Sequence, residues 1–292
     1  MSHVRNYLSL IKFSHSIFAM PFAMIGFFLG YTHEGTGLQP AQLGIKLILV
    51  IFCMITARSA AMAFNRYLDR NFDAQNPRTA IREIPRGIIS ANNALVFTIA
   101  SCVLFICACF FINQICFFLS PVALFAVLFY SYTKRFTPFC HLVLGIGLSL
   151  APIGAYLAVT GAFALLPILF SLTVICWVSG FDIIYALQDE EFDRSLKLYS
   201  IPSWLGKTKA LRVSEFLHLL SAGFVVTAGF YGQFGWWYWS GVLIFMAMLI
   251  YQHAIVKPND LSRVNLAFMT ANGIASVVFA CFVITDLFIK RL

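Results

Sequence analysis

Leu43-Gly-Ile-Lys-Leu-Ile-Leu-Val-Ile-Phe-Cys-Met-Ile-Thr-Ala-Arg58-Ser-Ala-Ala-Met-Ala-Phe-Asn65-Arg-Tyr-Leu-Asp69-Arg-Asn-Phe-Asp73 reads as an apolar helix running into carboxylates. Its first part is long enough to cross a bilayer, which takes about 20 mostly apolar residues. Its last part is polar at a fixed interval: Asn65, Asp69 and Asp73 are four apart. Positions four apart drift by only about 40° around a helix, so the three share one stripe. Arg58, seven residues before Asn65, extends that stripe deeper. Carboxylates beside hydrocarbon are costly and mark a site.

The pattern recurs. Tyr185, Asp189 and Asp193 stand 120 positions after Asn65, Asp69 and Asp73, with Asp182 on the same stripe. The offset points to an internal duplication, two related four-helix units made of spans 2–5 and 6–9. Such repeats commonly place the substrate site at their interface. Mg²⁺ takes hard oxygen ligands, usually one or two carboxylates completed by substrate phosphates and water. Two facing carboxylate sets therefore suit Mg²⁺ ions bridged by one diphosphate.

Composition sets the fold class. Of 292 residues, 60% are hydrophobic and 11% charged, against roughly 45–50% and 25% in a soluble domain. The apolar runs are continuous rather than alternating, which favours helices over a barrel. The expectation is an all-α polytopic membrane protein, one transmembrane domain over 1–292. Nine spans are expected, near 13–32, 43–67, 94–113, 116–133, 141–160, 164–187, 210–230, 236–255 and 265–286, with Asn113-Gln114 splitting the 94–133 stretch. The first run lacks a small-residue cleavage site and reads as a retained span.

Of the 20 lysines and arginines, all but Lys46, Lys290, Arg291 and the intramembrane Arg58 fall on one side. The positive-inside rule makes that side, with the N-terminus and both motif loops, cytoplasmic, and puts the C-terminus outside. In a bacterium the location would be the inner membrane. The net charge of +8 then reflects loops facing anionic headgroups and substrates, not nucleic acid. The eight cysteines lie in or beside apolar runs without a Cys-x-x-Cys pair and read as small hydrophobes.

The loop after the first motif, Asn76-Pro-Arg78-Thr-Ala-Ile-Arg82-Glu-Ile-Pro85-Arg86-Gly87, offers three arginines in an ordered turn. Arginine holds phosphate oxygens bidentately, so Arg78, Arg82 and Arg86 are candidate diphosphate ligands. Lys134 and Lys207 join them. Arg135, Lys209, Arg212, Lys257 and Arg263 read as ordinary loop charge. Of the scattered histidines His15, His141 and His218, only His141, beside Lys134 and Arg135, invites a site role.

With these residues in view, the chain resembles the UbiA superfamily of intramembrane prenyltransferases over nearly its whole length. The resemblance rests on Asn65-x-x-x-Asp69-x-x-x-Asp73, Asn76-Pro-Arg-Thr-Ala, Pro85-Arg-Gly, and Tyr185-x-x-x-Asp189-x-x-x-Asp193. Arg58-Ser-Ala-Ala-Met-Ala-Phe-Asn65, Ala151-Pro-Ile-Gly-Ala-Tyr156 and Asp182-Ile-Ile-Tyr-Ala-Leu-Gln-Asp189 are most similar to the 4-hydroxybenzoate polyprenyltransferase branch. A haem-farnesylating relative would show Arg-Thr-x-x-Arg-Pro, whereas Glu83 follows Arg82 here.

The resemblance implies a helical bundle around a central cavity open to lipid, with Mg²⁺ as cofactor. The donor would be a polyprenyl diphosphate and the acceptor a small aromatic acid, 4-hydroxybenzoate or a naphthoate-type or futalosine-route equivalent. The product would feed ubiquinone or menaquinone biosynthesis. Asn65, Asp69, Asp73, Asp189 and Asp193 would then hold the metal, and Arg78, Arg82, Arg86, Lys134 and Lys207 the diphosphate. Asp182 or Tyr185 would take the ring proton. Arg58 would hold the acceptor's carboxylate or pair with Asp182. A cation-coupled transporter is the competing class. Its carboxylates would belong at mid-membrane in broken helices, not at helix ends trailed by arginines.

Overall fold

A computed structural model describes residues 2–11, 18–33, 37 and 39–289. Its helices are α1 (Ser2–Leu10), α2 (Met20–Thr32), α3 (Pro40–Gln75), α4 (Ala91–Ile112), α5 (Gln114–Thr133), α6 (Cys140–Thr160), α7 (Leu165–Ala186), α8 (Glu190–Ser195), α9 (Ile201–Leu205), α10 (Lys207–Tyr231), α11 (Trp236–Ile255) and α12 (Asn272–Ile289). The expected spans correspond in order to α2–α7 and α10–α12. Among the described residues, eight helical stretches are long and apolar enough to cross a membrane; α2, with 13 residues, is shorter. Lys12, His15, Lys290, Arg291 and the first positions of span one, 13–17, lie outside the described residues. Among the described residues there is no strand, only an isolated bridge between Lys257 and Asp260. The chain is an integral membrane protein of helices.

Local chemistry sets the helix ends. Pro40 opens α3, where Gln39 and Gln42 form a reciprocal cap. Asn76-Pro77 stops it: Asn76 turns extended, and proline cannot continue the ladder. The break expected near 113 is real and is made by Asn113. Its backbone is extended, its Oδ1 accepts from Cys116 N at 2.8 Å to cap α5, and its Nδ2 donates to Leu157 O at 2.8 Å. Gly87, at φ +70°, makes the turn that Pro85-Arg-Gly announces.

α7 is the axis of the bundle and packs against α6 and α10. Trp177, fully buried on it, gathers Phe22, Phe181 and Phe245 at centroid distances of 5.1–5.9 Å. The outer helices turn phenylalanines such as Phe118 and Phe125 outward, as lipid contact requires. Between helices in lipid, close packing replaces the hydrophobic drive, so small residues mark the crossings. Gly26 of α2 lies so near α6 that a Cβ there would stand 1.9 Å from Pro152 O.

The second motif departs from the expected regular stripe. α7 ends at Ala186, a 3₁₀ turn covers Leu187–Asp189, and α8 resumes at Glu190. The cause is tertiary. Asn76 and Arg78 engage Asp189, while Leu198 N and Lys134 engage Asp193 from another direction. The motif ends of α3, α5 and α7, the start of α6, α8, α9 and the 76–90 loop thus meet at one end of the bundle.

Candidate active site

A cavity at that end is lined by Asn65, Asp69 and Asp73 from α3, Arg78 and Arg82 from the loop, Tyr130, Lys134 and Arg135 from the end of α5, His141 from α6, and Asp182, Tyr185 and Asp189 from α7 and its 3₁₀ turn. Every motif carboxylate is held by a cation. Asp189 is gripped by Arg78, Nε to Oδ1 at 3.0 Å and Nη2 to Oδ2 at 2.5 Å. Arg82 pairs with Asp73 at 2.6 Å, Arg135 with Asp69 at 2.7 Å and Lys134 with Asp193 at 2.6 Å. Burial opposes the charge on Arg78, but the hydrogen bonds and charge of Asp189 outweigh it and raise its pKa. Lys134, just past α5, is raised in the same way by Asp193. Both cations therefore persist through neutral pH.

Neutral donors complete the frame. Asn76 Nδ2 reaches Asp189 Oδ1 at 3.2 Å, and Ser200 Oγ donates to Asp193 Oδ2 at 3.0 Å. Arg78 Nη1 donates to the Tyr185 hydroxyl at 2.9 Å and lies over its ring. His141, 2% exposed, meets Asp182 through Nδ1 at 2.7 Å, and its Nε2 accepts from Ile201 N at 3.3 Å. Glu83 accepts from Ser9 of α1, which fastens the loop.

Not every candidate reaches the cavity. Asp193 is fully buried behind Lys134. Arg86 is exposed on the Gly87 turn, and Lys207 stands 3.9 Å from Glu190 and Glu191. Arg58 is deeper on α3 and is not in the lining; Asp182, the partner offered for it by depth, takes His141. Conversely, Arg135 is no ordinary loop charge: it binds Asp69 and the Ser131 and Leu68 carbonyls. Arg66 and Asn76, which the sequence reading passed over, also line the site. The spacing held a signal for Arg66, three before Asp69 and seven before Asp73, on their own face.

The donor set suits a divalent cation. Asp73 Oδ2 is buried without a hydrogen-bond partner among the described residues. Asn65 spends its Nδ2 on Asp69 Oδ2 at 3.0 Å, and no described donor engages its oxygen. Among the described residues no three metal-binding side chains form a ready cage, which accords with an ion completed by substrate phosphates.

Comparison with known proteins agrees with this geometry. The profile of the UbiA prenyltransferase family matches residues 19–274. The 4-hydroxybenzoate octaprenyltransferase of Nitrosomonas europaea is 32% identical over 244 residues, 83% of either chain. The apo UbiA homolog from Aeropyrum pernix K1 superposes with a TM-score of 0.79 at 28% identity, over 95% of this chain and 98% of that one. The UbiA homolog from Archaeoglobus fulgidus bound to DMAPP and Mg²⁺ shares the fold, with a TM-score of 0.75 at 19% identity over 97% and 99% of the two chains. A bundle whose two carboxylate motifs close on one polar cavity, matched over most of its length, belongs to the UbiA prenyltransferase family.

Proposed function

We propose that this prenyltransferase moves a polyprenyl group from its diphosphate to a ring carbon of an aromatic acid, 4-hydroxybenzoate, in respiratory quinone synthesis. The observation that carries the reading is the pairing of motif carboxylates with phosphate-seeking cations around one cavity. The names of the curated relatives support the acceptor, and the Mg²⁺ and DMAPP bound to the Archaeoglobus homolog support the metal and donor. The whole chain, 1–292, acts as one unit, with the N-terminus and motif loops cytoplasmic and the bacterial inner membrane as its location.

Asn65, Asp69, Asp73 and Asp189 would hold Mg²⁺, and Asp193 contributes by fixing Lys134. When bound, the metal neutralises the diphosphate and favours its departure. Arg78, Arg82 and Lys134 meet the departing oxygens, which carry the electron pair of the broken allylic C–O bond. Tyr130, in the cavity wall, offers an aromatic face to the allylic cation, worth about 0.5–2 kcal/mol. The ring carbon beside the acceptor hydroxyl attacks, forming the C–C bond, and the ring proton passes to Asp182. The Tyr185 hydroxyl already accepts from Arg78, whereas Asp182 spends one oxygen on His141 and no hydrogen bond among the described residues takes the other.

The test is prenyl transfer by detergent-purified protein with Mg²⁺, geranyl diphosphate and labelled 4-hydroxybenzoate. Prenylated product that disappears with EDTA and with Asp69→Ala or Asp189→Ala supports the reading. Transfer to a naphthoate but not to 4-hydroxybenzoate moves the protein to a menaquinone route. No transfer to any acceptor, longer donors included, refutes the proposal.

A further inference from the structure

Arg66 stands apart from the other cations of the cavity wall. Arg78, Arg82, Lys134 and Arg135 each close on a carboxylate at 2.5–2.7 Å, and His141 closes on Asp182. Arg66 is 6% exposed and its Nε is buried without an acceptor. Among the described residues no hydrogen bond or ion pair engages its guanidinium. Yet it lines the same cavity. An arginine cannot shed its proton, so an unpaired buried guanidinium is among the costliest groups a protein can hold. Such a group in a cavity wall marks the place of an anion.

Position narrows the choice of anion. Arg66 shares the face of Asp69 and Asp73 on α3, level with the motif rather than with the apolar interior. The charges around it are Arg82, Asp73, Glu83 and Asp69, and Asp69 and Asp73 already have partners. A single carboxylate would satisfy Arg66 and leave nothing for its neighbours. A diphosphate offers oxygens to Arg66 and to the paired arginines together, in the bidentate geometry guanidinium prefers.

We propose that Arg66 anchors the donor's diphosphate before any metal is bound; this rests on reading the donor as a prenyl diphosphate. The order follows from the pairing. A divalent cation entering the cavity meets carboxylates held by cations, plus the added positive charge of Arg66. A diphosphate meets a guanidinium with no partner to give up. Arginines that then turn to its oxygens free Asp73 and Asp189 for metal. Diphosphate and metal are thus positively coupled, and each raises the affinity for the other by the same factor.

The test is calorimetric titration of inorganic pyrophosphate into detergent-purified protein in EDTA. Wild type, Arg66→Gln, Arg66→Lys and, as a control, the exposed Arg212→Gln are compared. Wild type and Arg212→Gln should bind alike, Arg66→Gln about tenfold or more weakly, and Arg66→Lys in between. Wild type that binds pyrophosphate only once Mg²⁺ is added overturns the proposal, whether or not the variants fold. Equal binding by wild type and folded Arg66→Gln also overturns it. So does a lipid source for the anion, seen as wild-type binding in phosphatidylcholine nanodiscs that phosphatidylglycerol nanodiscs abolish. Prenyl transfer is assayed separately. Binding in EDTA without transfer to any aromatic acid would keep Arg66 and remove the acceptor; transfer without binding in EDTA would do the reverse.

Discussion

Arg78 and Asp189 join side-on across 111 residues of chain, two guanidinium nitrogens to two carboxylate oxygens. The pair ties the loop of the first motif to the second motif. Arg78 also donates to Tyr185, so one planar side chain positions a carboxylate and a ring at once. Lysine offers a point charge and cannot reproduce the fork. Arg78→Lys should therefore fail nearly as badly as Arg78→Ala. The expected loss in kcat/KM for the prenyl diphosphate is about 10–100-fold for either, from hydrogen bonds to a charged group. Steady-state kinetics at saturating acceptor decide it; full activity of Arg78→Lys would show that only charge matters.

Asp182→Asn should lower kcat by about 10²–10⁴-fold, the usual contribution of a positioned base, while the donor KM stays near wild type. His141→Gln should give a smaller fall in the same direction, because its ring only orients Asp182. An acceptor deuterated at the reacting carbon supplies the mechanistic readout. An isotope effect that appears or grows in His141→Gln places the lesion at proton removal, and a kcat loss without one argues for a packing defect.

The span pattern was legible because hydrocarbon imposes it: long apolar runs, Asn113 as a break, Asn76-Pro77 as a stop. The first motif was legible for the same local reason, since α3 continues unbroken from Pro40 to Gln75. The second was legible as residues but not as geometry. No residue of Tyr185–Asp193 forbids a regular helix; the turn at Asp189 is drawn by Asn76 and Arg78, more than 100 positions away. Arg135 looked like loop charge because a basic residue after a span usually is. Only the crossing of α3 and α5 brings it to Asp69, and a single chain's periodicity carries no information on that crossing.

Asn272 ties three helices to a π-helical turn, Leu266–Ala271. Its Oδ1 accepts from Trp177 Nε1 and Gln252 Nε2, both at 2.9 Å, and its Nδ2 donates to Ala267 O and Phe268 O. Asn272→Leu leaves two buried donors without acceptors. In membrane proteins such bonds average about 0.6 kcal/mol and reach about 1.7, so a loss of about 1–3 kcal/mol is expected. A lowered melting temperature in detergent measures it. Gln252→Met, which removes one of the two donors at nearly the same side-chain volume, should cost less than Asn272→Leu.

Two glycines separate close helix packing from mere composition. A methyl group at Gly26 would meet the Pro152 carbonyl at 1.9 Å, and backbone cannot move aside as a side-chain end can. A methyl group at Gly154, on the same α6, meets nothing within 4 Å. Gly154→Ala should fold as wild type and gain slightly, since alanine favours a helix by up to about 1 kcal/mol over glycine. Gly26→Ala must push α2 from α6, and overpacking of this kind typically costs about 1–3 kcal/mol. Because α2 also carries Phe22 against Trp177, the shift would reach the bundle axis. The comparison is thermal stability of the two variants in one detergent. Equal melting temperatures would mean that α2 is free to slide on α6, and that its close approach to Pro152 is not required for the fold.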